Sequence, residues 1–317
     1  MMSASVPTLH SYAQYLASIR QAFGLPAAPQ AADAAASAGS PSERAFTGCA
    51  GAADPAPWQS RRYAVGQRFQ HGPHLPEMLV LPAGAFCMGA HPLDPDAVSD
   101  ERPRHAVRLH RPFAIGCTPV TFDQWDACLA AGGTRHRPPD ASWGRGARPV
   151  IHVNWFDAEE YVAWLSRETG ERYRLLTEAE WEYACWGGAP QHGRFPWGDD
   201  YGLRQLHQHA WSAGNSGYRS HPVAQKTANG FGLHDMLGNV WEWVADHYAR
   251  HGGDRPDGAV AHRSASRSAS CVIRGGSWLD APEHIRPSAR RSHQPMHRAY
   301  HLGLRVAMDL PPASGSA

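Results

Sequence analysis

The sequence predicts an α+β fold that is rich in loops. Three observations carry this. The stretches with helical spacing are few, each opens on a capping residue, and they sit among short strand-like runs. The 317 residues include 31 Gly, 26 Pro and 12 Trp, a composition of turns and aromatic anchors rather than of a helical bundle. Between Gly187 and Ala228 there is almost no periodicity, which is a long irregular segment for a compact domain and is usually functional.

Taken in order, residues 8–23 place Leu9, Tyr12, Leu16, Ile19 and Phe23 near one helical stripe, with Thr8 positioned to cap it. Residues 26–60 are rich in Ala, Ser, Gly and Pro. They bury too little apolar surface to offset chain entropy and read as flexible linker. Residues 1–73 therefore read as a helix plus linker, 74–310 as the domain, and 311–317 as a disordered tail. Residues 78–82 and 84–89 predict a strand pair around the Pro82-Ala83-Gly84 turn. Residues 104–109 alternate and predict a strand that continues through 112–115. Thr121 with Gln124 forms a capping box, and its helix runs to about Ala131, ahead of Gly132-Gly133. Asn154 caps a second helix whose Ala158, Tyr161, Val162 and Leu165 share one face, and Gly170 ends it. After a short strand at 173–176, Thr177 with Glu180 opens a third helix to about Trp186. Residues 249–268 read as a polar loop, and 272–278 and 302–307 as closing strands.

Composition narrows the function classes. A net charge of +1 implies no nucleic-acid partner, and no window approaches eighteen uninterrupted apolar residues, so no membrane span is expected. The first residues lack a charged start followed by an apolar core, so no secretory signal is read. Lysine is nearly absent among the 30 basic residues. The six cysteines are Cys49, Cys87, Cys117, Cys128, Cys185 and Cys271. No CxxC pair points to structural zinc, and three lie in apolar runs as buried thiols do. A cytoplasmic location is the simpler reading, with a disulfide through Cys271 as the alternative. No Ser-His-Asp order, phosphate loop or zinc-protease motif is present.

The densest stretch is 229–246. Three glycines and a Gly-Asn pair make a turn that feeds Val240-Trp241-Glu242-Trp243-Val244, a short strand covered on both faces. Glu242 is the odd residue there, because a buried carboxylate costs several kcal/mol unless it is paired or metal-bound. From Gly232 to Trp243 this stretch resembles the signature of the sulfatase-modifying-factor family, which includes the formylglycine-generating enzymes. The resemblance extends to Pro76-Glu77-Met78, Pro82-Ala83-Gly84, 176–183, Arg274-Gly275-Gly276-Ser277-Trp278, 286–290 and 302–307, so it covers residues 74–309. It implies an extended variant of the C-type-lectin-like fold.

What the resemblance implies for sites is uneven. The positions matching a calcium site of formylglycine-generating enzymes are Asp235, Gly238, Val240 and Glu242, two side chains and two carbonyls of the hard-oxygen kind calcium takes. A metal-free loop in which Glu242 accepts backbone N–H groups is the alternative. The family's other calcium site is expected to be lost, since Ala210 stands where an oxygen ligand belongs. Those enzymes also bind copper through two cysteines just beyond Gly-Gly-Ser. This chain has residues 279–285 there, with Asp280 and no cysteine. Cys271 lies on the wrong side of the motif, so formylglycine generation by the thiolate–copper route is not expected.

Ser277, Asp280 and Arg290 are the candidate catalytic residues, and Trp278, Arg286, His293, His297 and His301 the candidate ligand-binding residues. Asp280 is read as a ligand or base, Arg290 as a partner for a carboxylate, and the histidines as ligands for a redox metal, iron or copper. The bland alternatives are solvated loop histidines and arginines that brace the fold. The Gly275-Gly276 pair is read as allowing close approach to a ligand. Three functions compete. One is a divergent metal-dependent oxidoreductase acting on a peptide or peptide-derived small molecule, as pyoverdine-maturation relatives do. The others are a non-catalytic ligand-binding module and an accessory protein that matures another enzyme.

Overall fold

The computed structural model describes residues 62–311 apart from 190, 192, 201–202, 251–259 and 262–268. The expected helix at 8–23, the linker 26–60 and residues 312–317 of the tail lie outside the described residues.

The order of strands explains why the apolar runs look continuous. Strands β1 (Arg68–Phe69), β2 (Met78–Leu81), β5 (Phe113–Gly116), β6 (Arg172–Leu175) and β11 (Val306–Asp309) form one sheet in the order β1-β2-β5-β11-β6, with every pair antiparallel. Strands β7 (Trp241–His247), β8 (Cys271–Arg274), β9 (Arg290–His293) and β10 (Leu302–Leu304) form a second, in the order β10-β7-β8-β9, where β10 runs parallel to β7. β3 (Gly84–Met88) and β4 (His105–Leu109) make a separate hairpin. Two apolar cores flank these sheets. Met78 and Val80 enter one core and Leu79 and Leu81 the other; Trp241 and Trp243 enter the first and Val244 the second. Successive side chains of a strand point to opposite faces, so a strand between two cores is apolar throughout.

Four helices stand among the described residues: α1 (Phe122–Ala130), α2 (Trp155–Thr169), α3 (Glu178–Trp186) and α4 (Arg204–His209). The first three begin where the capping residues predict. Thr121, Asn154 and Thr177 each accept from the backbone N–H three residues on, in complete capping boxes. Gly170 and Gly187 end α2 and α3 in the left-handed region, at φ 74° and 62°. Short α4 lies inside the segment that showed no periodicity.

Several pairings differ from the expectation. β2 does not pair with β3, because Pro82 and Ala83 carry the chain out of the five-stranded sheet and into the hairpin with β4. β4 and β5 likewise belong to different sheets. The run 302–307 divides at Arg305, with β10 in one sheet and β11 in the other. The domain also starts earlier than residue 74, since β1 pairs Arg68 with Leu79.

Loop carbonyls that no ladder satisfies are taken up by buried arginines. A guanidinium offers five donors, enough to pair with a carboxylate and still serve carbonyls. Arg274, fully buried, pairs with Glu182 and donates to the carbonyls of Pro287, Ser288 and Ala289. Arg286 meets Asp94 at 2.7 Å and Glu101 at 2.6 and 2.7 Å, tying the 283–288 segment to the loop after β3.

Cys117, Cys128 and Cys185 are free and buried, Cys271 is buried, and Cys87 is disulfide-bonded. No helix among the described residues is long and apolar enough to cross a membrane.

Arg286→Met leaves buried Glu101 without its cation and Asp94 with Arg194 alone. Breaking such a pair costs about 3–5 kcal/mol, and urea unfolding should show a loss of that size. A loss under about 1 kcal/mol would mean that the triad is solvated.

Candidate functional site

The Ser277–Asp280 turn leaves β8 through two glycines that no other residue could replace. Gly275 and Gly276 have φ of 103° and 75°. A Cβ on Gly275 would stand 3.0 Å from the Met236 carbonyl, and one on Gly276 2.7 Å from Ile285. The close approach these glycines allow is to the protein itself, not to a ligand as the sequence suggested.

Asp280 is fixed on all sides. Its Oδ2 accepts from Ser277 Oγ at 2.5 Å and from Trp241 Nε1 at 2.7 Å. Its Oδ1 pairs with Arg291 at 3.0 Å, and that guanidinium lies over the Trp241 ring. Ser277 is fully buried. Asp280 is therefore a neutralised anchor for the turn, not the free base or metal ligand expected of it.

Around this anchor the face is built of rings. Trp278 donates its Nε1 to the Tyr300 carbonyl at 3.3 Å, and its ring meets Trp143 edge-on at 5.1 Å and Tyr300 at 5.6 Å. Tyr300, 43 % exposed, also contacts His152 and His301. His293 stacks on His297 at 4.3 Å and lies 6.5 Å from His301. The Nδ1 of His301 is buried without a hydrogen-bond partner. The fold thus brings Ser277, Trp278, Asp280, His293, His297 and His301 to one face.

Arg290 and Arg286 are not available there. Arg290 makes two 2.7 Å bonds to Glu178, so both arginines are braces, as the bland alternative held. Sequence reasoning missed Trp143 and His152. Neither lies in a periodic stretch. The one local sign is His152, two residues before the Asn154 cap, at a strained φ of 57°.

Three histidines of this face are pushed towards the neutral form. Burial pushes His293 down to about 4, aided by His297, His301 and Arg291. Burial also lowers His301, against the field of Asp280, and lowers His152, with His136 adding to it. Neutral imidazoles can accept a proton or donate one through the opposite nitrogen.

The two carboxylates among the expected calcium ligands have other partners. Glu242 accepts from Arg305 at 2.8 Å on Oε1 and from Trp181 Nε1 at 2.7 Å on Oε2. Asp235 accepts from the Ala224 N–H and from Asn239. Gly238, at φ 77°, packs against Trp211, where a Cβ would meet the carbonyl at 2.3 Å. Val240 is buried in the apolar core. The Arg305 guanidinium already stands on Glu242, so that carboxylate is not a free ligand for calcium. At the second expected site the Ala210 carbonyl accepts from Asn215. For a redox metal, no three His, Cys, Asp or Glu side chains among the described residues are grouped as an ion needs.

Two outcomes test this description. Calcium and a chelator should leave the wild-type melting midpoint in the same place, while Glu242→Gln lowers it equally in both; a calcium-dependent rise restores the calcium site. His293 has a folded pKa below its unfolded one, so the unfolded chain binds more protons between the two. Its contribution is complete above pH 6.5 and is lost as pH falls towards 4. Urea midpoints should fall over that window, less steeply in His293→Gln; equal slopes would show that the ring is solvated.

Residues 62–310 match the sulfatase-modifying factor enzyme 1-like domain. The chain is 32 % identical over 292 residues to a formylglycine-generating enzyme of Thermomonospora curvata, covering 73 % of this chain and 93 % of that one. It is 32 % identical over 272 residues to a hercynine oxygenase of Mycolicibacterium smegmatis, covering 73 % of this chain and 61 % of the relative, so it spans about three-fifths of that protein. Among solved structures, PvdO from Pseudomonas aeruginosa superposes with a TM-score of 0.71 at 36 % identity, over 78 % of this chain and 100 % of that one. The expected loop-rich, C-type-lectin-like variant fold holds, and the chain belongs to the sulfatase-modifying factor enzyme 1-like family.

Proposed function

We propose that this protein is a divergent oxidoreductase of its family that acts on a peptide or peptide-derived small molecule at the face of Trp278, Tyr300 and His301, and that it does not generate formylglycine. One observation carries the second half. Beyond Gly-Gly-Ser the chain holds Asp280, consumed by Ser277, Trp241 and Arg291, and no cysteine follows it. Copper(I) chemistry of the thiolate kind has no ligands there. The likeness to a hercynine oxygenase supports the first half.

The residues available to a substrate are few. Trp143, Trp278 and Tyr300 offer an aromatic wall for apolar parts. His301, which contacts Tyr300 and His293, supplies an imidazole for proton exchange at this face. Asp280 and Arg291 hold the floor and neutralise each other. No step is derived through a metal, because the donors present do not form a cage for one.

Incubation with a cysteine-containing sulfatase-motif peptide, copper and reductant should give no aldehyde by mass spectrometry. Peptide and small-molecule pools treated with wild type and dioxygen as the oxidant should show a species that has lost two hydrogens, with dioxygen leaving as peroxide, or, with added reductant, one that has gained one oxygen, the other leaving as water; His301→Ala should lose it. Multiple turnovers to aldehyde would overturn the first expectation. Binding without any mass change would favour the ligand-binding module, which the exposed Leu279, Met296 and Tyr300 of this face also suit.

A further inference from the structure

Lys226 is the one lysine among the 30 Lys and Arg residues of this sequence. Everywhere else that this chain carries a basic side chain of that kind, it is arginine. A guanidinium is planar and broad, whereas an ammonium is a compact point charge with three rotatable donors. Position 226 is shaped for the ammonium. Its Nζ lies 3.9 Å from the centroid of the Trp211 ring and donates to the His207 carbonyl at 2.5 Å. The imidazole of His221 stacks on the same indole at 3.7 Å, 14° from parallel. An indole has two faces, so the imidazole covers one and the ammonium the other. The nearby carboxylate of Asp235 favours the charge, while burial opposes it and lowers the lysine from its ordinary basicity.

The clamped indole carries the candidate site. The Trp211 carbonyl accepts from Asn239 N at 2.9 Å, and the Asn239 carbonyl accepts from Trp278 N at 2.9 Å. Further along the same turn, Ala213 N donates to the Asp280 carbonyl at 3.0 Å and Ser216 Oγ to the Trp278 carbonyl at 2.8 Å. The backbone of Trp278 and Asp280 thus hangs from the segment 211–216 and its neighbour Asn239.

We propose that Lys226 is a positioning residue, a built-in cation that clamps Trp211 against His221 and thereby sets the place of the Trp278–Asp280 backbone. This rests on the reading of that face as the working site, and adds the cation on which it is mounted. The cation–indole contact accounts for the choice of residue. A flat guanidinium laid on Trp211 directs its N–H groups along the ring plane, where the His207 carbonyl cannot also be met from above the ring centre.

Lys226→Arg is the discriminating variant because it keeps the charge, and Lys226→Met keeps the length without it. Amide exchange should rise at least about tenfold at Ala213, Asn239 and Trp278 in both variants, with β2, β5 and β11 still protected. The His301 ring, which feels Asp280, should titrate at a shifted pH by NMR, a change that loosening confined to the 203–238 loop would not cause. Methylammonium should partly restore protection in Lys226→Ala. Wild-type exchange and an unmoved His301 titration in Lys226→Arg would overturn the proposal, as would the same result in Lys226→Met. If Lys226→Met fails to fold, Lys226→Arg carries the test. Both readouts need no substrate, so a failure here is distinct from a failure of the oxidoreductase reading, which shows only in the product assay.

Discussion

The Arg305–Glu242 pair is the contact on which the two sheets and the long loop all depend. Arg305 sits at the break between β10 and β11, where the chain leaves one sheet for the other. Its guanidinium grips Glu242 of β7 and donates to the carbonyls of Gly116 at the end of β5 and of His234 in the loop. Trp181 of α3 takes the other oxygen of Glu242. One fully buried cation thereby joins a strand of each sheet, a helix and a loop. Removing either partner would strand a buried charge, which costs far more than the pair contributes over an apolar replacement.

The same logic extends through the loops. The irregular backbone of 274–290 is largely buried beside core, where unpaired carbonyls are costly. Arg274, Arg286 and Arg290 meet that need from the segment 274–290, each pairing with a carboxylate while serving carbonyls. The segment that carries the candidate site is consequently rigid at its base. Freedom to meet a ligand is left to the rim, to Tyr300, His301, His297 and Leu279, which stand over a fixed floor of Trp278 and Asp280. Binding residues mounted on a rigid scaffold are the usual arrangement for a loop-built site.

At the positions where the resemblance implies metal ligands, this chain holds a polar network. Where the resemblance implies thiolates, Asp280 is locked by three partners; where it implies calcium, Arg305 supplies the charge. The disulfide at Cys87 shows that cysteine here serves covalent structure, and the free cysteines are buried, burial pushing Cys117 and Cys128 up to about 12. None of these thiols is poised to act as a nucleophile, since the thiolate is the reactive form.

The sequence by itself determined what is local. Capping boxes at Thr121, Asn154 and Thr177 placed three helix starts, because a cap is a contact between residues three apart. The motif 232–243 disclosed a strand covered on both faces, and the absence of cysteine after Ser277 was plain. Tertiary structure decided everything that depends on a distant partner. β2 chose β5 rather than β3, the run 302–307 was divided between two sheets, and Glu242 found a cation 63 residues away. Arg286 and Arg290 looked alike to a ligand-binding pair until Glu101 and Glu178 were seen to hold them. Lys226 shows the division most clearly: its rarity is a fact of the sequence, but the indole and carbonyl that give the rarity meaning come from positions 211 and 207, brought to it only by the folded loop.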